Sequence, residues 1–186
     1  MTGVQTCALP ISDPVREMAP AFEHHAELPA FGQGGFDITV FAGSLAGGTS
    51  PATVHSPLVG AEISARRHAE AQIPLPPAHE HVVFVALGSA TAAGATLSPG
   101  TLLYLGTGHT SLSLAAPEGS RLFLLGGEPL GQPVLMWWNF VGRTADEIAA
   151  AAADWDRGLR FGKVAGSAGE PLPAPPLDPR RLARRR

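Results

Sequence analysis

His79-Glu80-His81 sets two imidazoles two residues apart, and on a strand that spacing places both on one face. His109 adds a third candidate ligand, with Ser111 two residues further on. A metal site needs three or four converging donors and a supporting shell of hydrogen bonds. These positions offer at most three imidazoles that no shared motif aligns, so no functional metal is expected at His79, His81 or His109. Ser111, His109 and an aspartate could be drawn as a nucleophilic triad, but no nucleophile elbow accompanies them. Gly32 to Gly35 has no Lys after it and no helix to follow, which argues against a phosphate cradle. The only cysteine, Cys7, lies at the extreme N-terminus, so the rest of the chain has no disulfide, thiolate metal site or Cys nucleophile. Catalytic and cofactor-binding residues are therefore expected to be absent. Arg180-Arg181-Leu182-Ala183-Arg184-Arg185-Arg186 reads as a solvated basic end; contact with phosphate, an acidic lipid surface or acidic residues of a preceding domain are its alternatives.

The elements that must position these residues are short. Only 16% of the 186 residues are charged, whereas 22 Gly and 18 Pro favour many strands and tight turns over a helical bundle. The net charge of −3 is no footprint for nucleic acid, and no apolar run reaches the length of a membrane span. A soluble, cytoplasmic, β-rich domain is the expectation. Strands are predicted over Phe36–Phe41, Gly60–Ala65, Val82–Leu87, Thr101–Leu105, Ser111–Leu114 and Arg121–Leu125, several of them closed by Gly. After Gly126-Gly127-Glu128-Pro129 comes a second apolar stretch, Met136 to Val141. Thr144 then caps a helix running to about Trp155, with Asp146 and Glu147 in its first turn and Gly158 as its stop. Ile148 and Trp155 are expected to face inward, closing one end of the fold.

In this order the elements resemble a cupin-type jelly-roll β-barrel with a short C-terminal helix and an extended Pro-rich tail. The matches are the Gly43 turn with Ser50-Pro51, Leu58 to Glu62, Glu80-His81 leading to Gly88, and Gly126 to Leu130. Trp138 to Val141, Trp155, Phe161-Gly162 and Pro173 to Leu177 complete them. Together they resemble the C-terminal half of the pirin family. The resemblance implies two cupin barrels, with one Fe(II) held by three His and one Glu in the N-terminal one. Imidazole and carboxylate suit Fe(II) and leave positions open for oxygen or substrate. Cupin metal sites place a Glu a few residues after His-x-His, where Val85 and Ala86 stand, and a later His where Ser111 stands. His79, His81 and His109 are then read as hydrogen-bonded or exposed side chains at a barrel mouth.

Residues 1–12, through Met1-Thr2-Gly3-Val4-Gln5-Thr6-Cys7-Ala8-Leu9-Pro10-Ile11, look like translated sequencing adapter, and they lack the basic region and apolar core of a secretory signal. On that reading residues 13–30 are an interdomain linker, 31–160 the C-terminal cupin barrel with its closing helix, and 161–186 an extended tail. The chain becomes a metal-free structural barrel, inactive alone, whose first partner is the missing N-terminal barrel. The parent would resemble an Fe(II)-dependent quercetin 2,3-dioxygenase. The alternative is a non-catalytic, redox-responsive transcriptional cofactor that binds a protein partner.

Overall fold

The computed structural model describes residues 23–161, 169 and 172–177. The adapter-like segment, much of the linker and the Arg-rich end lie outside those described residues. The chain forms two compact units, one over residues 23–129 and one built from the described residues after Pro129.

The first unit contains β1 (Ala30–Gln33), β2 (Phe36–Leu45), β3 (Gly48–Thr49), β4 (Leu58–Ala65), β5 (Ala69–Pro74) and β6 (Glu80–Leu87). It continues with β7 (Ala90–Ala92), β8 (Ala95–Leu97), β9 (Leu102–Gly106), β10 (Ser111–Ala116) and β11 (Arg121–Gly127). A seven-stranded sheet runs β1-β2-β4-β11-β6-β9 with β3 paired to β2, and a four-stranded sheet runs β5-β10-β7-β8. Their pairings are antiparallel.

The closed jelly-roll barrel expected from the sequence does not form. Among the described residues the two sheets stay separate, with no ladder joining an edge of one to an edge of the other. The corners explain why. Pro74 ends β5, Pro76 and Pro77 follow in the passage to β6, and none of the three offers an N–H to a ladder. Between β9 and β10, Gly106 and Gly108 turn the chain at φ 68° and 86°. At this corner single backbone hydrogen bonds stand where a ladder would be: Leu75 N–H to the Thr110 carbonyl at 2.9 Å and Gly108 N–H to the Pro77 carbonyl at 2.8 Å.

Period-two alternation still builds one core. Ile38, Val40, Ile63, Val83, Val85, Leu122 and Leu124 of the large sheet cluster with Ile73, Ala92, Leu112 and Leu114 of the small one. Each fully buried aliphatic side chain contributes about 1.5–3 kcal/mol. The outer face of the large sheet is also apolar: Phe41 meets Phe123 edge-to-face at 6.3 Å, and Leu102, Tyr104 and Leu125 are exposed.

The second unit pairs β12 (Leu135–Trp137) with β13 (Phe140–Gly142) and adds α1 (Ala145–Asp156). Thr144 Oγ1 accepts from Glu147 N–H at 3.2 Å, while the Glu147 carboxylate accepts from Arg143 N–H at 2.7 Å, one residue before the position of a standard capping box. Gly158, at φ 65°, ends the helix in a Schellman motif: its N–H reaches the Trp155 carbonyl and Leu159 N–H reaches that of Asp154. Ile148 and Trp155 belong to this unit's own cluster with Phe140, Trp137, Trp138 and Phe161, and Trp155 Nε1 donates to the Leu172 carbonyl at 2.8 Å. Among the described residues no helix is long and apolar enough to cross a membrane.

Candidate functional site

Alternation along β6 turns His81, Val83 and Val85 into the core and leaves Glu80, Val82 and Phe84 on the outer face. Both cross-strand neighbours of His81 are glycines, Gly126 on β11 and Gly106 on β9. A Cβ on Gly126 would lie 2.7 Å from His81 Cδ2 and 2.6 Å from the Glu80 carbonyl oxygen, so the imidazole lies where only a glycine leaves it room. His79 sits just before the strand, where its N–H bonds the Pro76 carbonyl at 3.1 Å. Its ring stacks on that of His81, with centroids 5.9 Å apart and planes 30° apart. His109 is exposed on the β9–β10 loop, which the Gly108–Pro77 and Leu75–Thr110 hydrogen bonds tie to the loop carrying His79.

The fold therefore gathers the three histidines singled out by the sequence at one end of the sandwich, but not in the manner expected there. His81 is 1% exposed and His79 9% exposed. Neither nitrogen of His81 and not Nδ1 of His79 has a hydrogen-bond partner. Burial of His81 in apolar surroundings lowers its pKa from 6.5, and repulsion from His79 and His109 adds to that; the nearby His79 carbonyl opposes the shift without forming a hydrogen bond. At neutral pH the ring is uncharged, the form that binds metals or exchanges hydrogen bonds as both donor and acceptor.

No carboxylate joins them. Glu80 points to the opposite face and accepts from Tyr104 Oη at 2.7 Å, a bond that raises the tyrosine pKa. Among the described residues, no three His, Cys, Asp or Glu side chains are arranged to hold a metal ion. A centre of three His and one Glu therefore does not fit this end of the sandwich. Ser111 is exposed at the start of β10. A shallow cleft of about 320 Å³ lined by Ser44 to Gly47 and Pro74 to Pro76 includes none of the histidines. Sequence reasoning missed the glycine neighbours, because it took Gly126-Gly127 as the end of a strand that in fact runs through Gly127.

The profile of the Pirin C-terminal cupin domain matches residues 60–162, which cover both the sandwich end carrying His81 and α1. The chain belongs to the pirin family. It is 39% identical, over 87% of its length and 52% of the relative's, to a provisionally named quercetin 2,3-dioxygenase of Pseudomonas aeruginosa. A pirin-like protein of Caulobacter vibrioides is 35% identical over 85% of this chain and 54% of its own. Among solved structures, a quercetin 2,3-dioxygenase from Acinetobacter baumannii superposes with a TM-score of 0.85 at 36% identity, covering 91% of this pirin chain and 57% of that one. The chain thus spans about half the length of the curated relatives it matches.

Proposed function

We propose that this pirin chain is the structural half of a longer cytoplasmic protein, catalytically silent alone, whose N-terminal cupin half carries an Fe(II) centre and a quercetin 2,3-dioxygenase-like activity. The observation that carries this reading is the donor set. Two buried imidazoles face each other at the sandwich end, and the only carboxylate adjacent to them in sequence is committed to Tyr104 on the other face. An oxygen-activating centre of the family's kind has no fourth ligand there. The names carried by relatives from Pseudomonas and Acinetobacter support the oxygenase side of the reading. The outer face of the large sheet, with Leu102, Tyr104 and Leu125 exposed beside half-buried Phe41, Phe84 and Phe123, supports a covering partner, for which the N-terminal half is the natural candidate.

The test is oxygen uptake with quercetin. The chain as given is expected to consume no flavonol whether or not Fe(II) is added, and the polypeptide joined to an N-terminal cupin half is expected to do so. Turnover by the chain alone that depends on added Fe(II) overturns the proposal.

A further inference from the structure

We propose that the aromatic cluster of the second unit is a recognition surface for a polyproline segment, occupied in this chain by its own residues 172–177 and open to exchange with a proline-rich segment of a partner protein. The surface lies within the second unit alone, so the inference goes beyond the catalytic reading above and stands without it.

The first support is the occupant. Leu172-Pro173-Ala174-Pro175-Pro176-Leu177 carries three prolines that fix φ at about −65°, and each residue before a proline is kept out of the helical region. The backbone is thereby directed toward a polyproline II helix, which has three residues per turn. The burial follows that period: Ala174 and Leu177 are half-buried against the cluster, whereas Pro173, Pro175 and Pro176 are exposed.

The second support is the surface. Trp138, Trp155 and Phe161 form an edge-to-face run with ring centroids 5.5 and 5.7 Å apart, and Phe140 lies 5.6 Å from Phe161. The indole Nε1 of Trp155 donates to the Leu172 carbonyl at 2.8 Å. Aromatic rings that pack the apolar positions of an extended segment, with an indole N–H on its backbone, suit polyproline recognition. The preformed helix loses little entropy on docking, and its carbonyls have no internal hydrogen bonds to give up.

The third support is how lightly the tail is held. Among the described residues the indole bond is the one hydrogen bond made to residues 172–177, and the Leu172 side chain is 74% exposed. The tail is tethered through Gly162 to Pro171, which raises its effective concentration at the surface without any closer fit. The tail of a second copy would bring the same contacts without the tether. A foreign proline-rich segment that also buries the side chain at the Leu172 position competes better.

Titration of the full chain with a peptide of sequence Leu-Pro-Ala-Pro-Pro-Leu tests this, read by the indole proton–nitrogen signal of Trp155. The peptide should move that signal, and the same peptide with glycine at every proline position should not. Trp155→Phe keeps an aromatic ring and removes the donor, and should weaken binding of the labelled peptide roughly fivefold by fluorescence anisotropy. Pro173→Ala combined with Pro175→Ala frees the tail backbone without removing a packed side chain, and should tighten peptide binding roughly fivefold. A Trp155 signal that the peptide leaves unmoved in both the unmodified chain and that tail variant overturns the proposal and makes residues 172–177 a fixed part of the second unit. A concentration-dependent dimer that exchanges tails overturns it in favour of a second copy as occupant.

Discussion

The two ends of strand β6 bury polar groups equally deeply and treat them differently. Beyond its C-terminal end Ser120 is 1% exposed and bonded: its Oγ accepts from Ser89 N–H at 3.3 Å and its carbonyl accepts from Ala65 N–H at 2.9 Å. Gly119 N–H returns a bond to the Ala65 carbonyl at 2.8 Å, which closes the network. At the other end His81 is just as buried, and neither ring nitrogen is bonded within the protein. Ser50 follows the first pattern, donating to the Phe41 carbonyl and accepting from Ala52 N–H. Buried polar side chains that only hold the fold are satisfied by it. The histidine end departs from that rule: among the described residues the other buried side-chain atom without a hydrogen bond, Asp37 Oδ2, is ion-paired with Arg66, whereas the His79 and His81 nitrogens have no such partner.

Substitution can break the contrast from the closed end first. Gly88 has φ 70°, and an added Cβ would lie 2.5 Å from Ser120 Oγ and 2.9 Å from its Cα. Gly88→Ala therefore combines left-handed strain with displacement of Ser120, and a loss of about 2–4 kcal/mol is expected in urea unfolding. Ser120→Ala removes the hydroxyl alone and strands Ser89 N–H, for an expected loss of about 1–2 kcal/mol by the same measurement.

The smallest effect lies at the open end. His81→Leu takes away a polar group that nothing satisfies, and stability at neutral pH should stay within about 1 kcal/mol of the unmodified chain. A larger loss, comparable to that of Ser120→Ala, would show that the imidazole is bonded after all. Acid sharpens the test. The folded pKa of His81 is lowered from 6.5, so above that pH the ring is neutral folded or unfolded and contributes no pH dependence. As pH falls below 6.5 the unfolded chain takes up a proton that the folded one refuses, and stability drops by up to about 1.4 kcal/mol per pH unit until the folded pKa is reached. His81→Leu should flatten that component of the acid limb.

Much of this was readable from the chain, for local reasons. Thr144 and Gly158 bound α1 because capping depends on a few neighbouring residues, and the helix extends only one residue past the expected Trp155. The β-branched and aromatic residues of β2, the apolar runs of β6 and β11 and the alternation of β10 are strong enough to mark them unaided. β5, β7 and β8 were missed: Ala69-Glu70-Ala71-Gln72, Ala90-Thr91-Ala92 and Ala95-Thr96-Leu97 carry too little side chain to show a period. Barrel closure could not be read, because it depends on whether sheet edges meet across a corner where Pro74, Pro76 and Pro77 thin out the donors and Leu75 makes a single bond. The His79-Glu80-His81 spacing was plain from the start. Its burial without partners was not, since that depends on Gly106 and Gly126, brought beside His81 only by strand pairing.

The most direct check is the titration of His81 itself, followed by proton–nitrogen spectra of its side chain. A midpoint below 6.5 is the expected result for a ring whose burial disfavours the charged form more than the His79 carbonyl favours it. A midpoint at or above 6.5 would mean that the ring is solvated or hydrogen-bonded in its charged form, and the contrast between the two ends of β6 would be wrong.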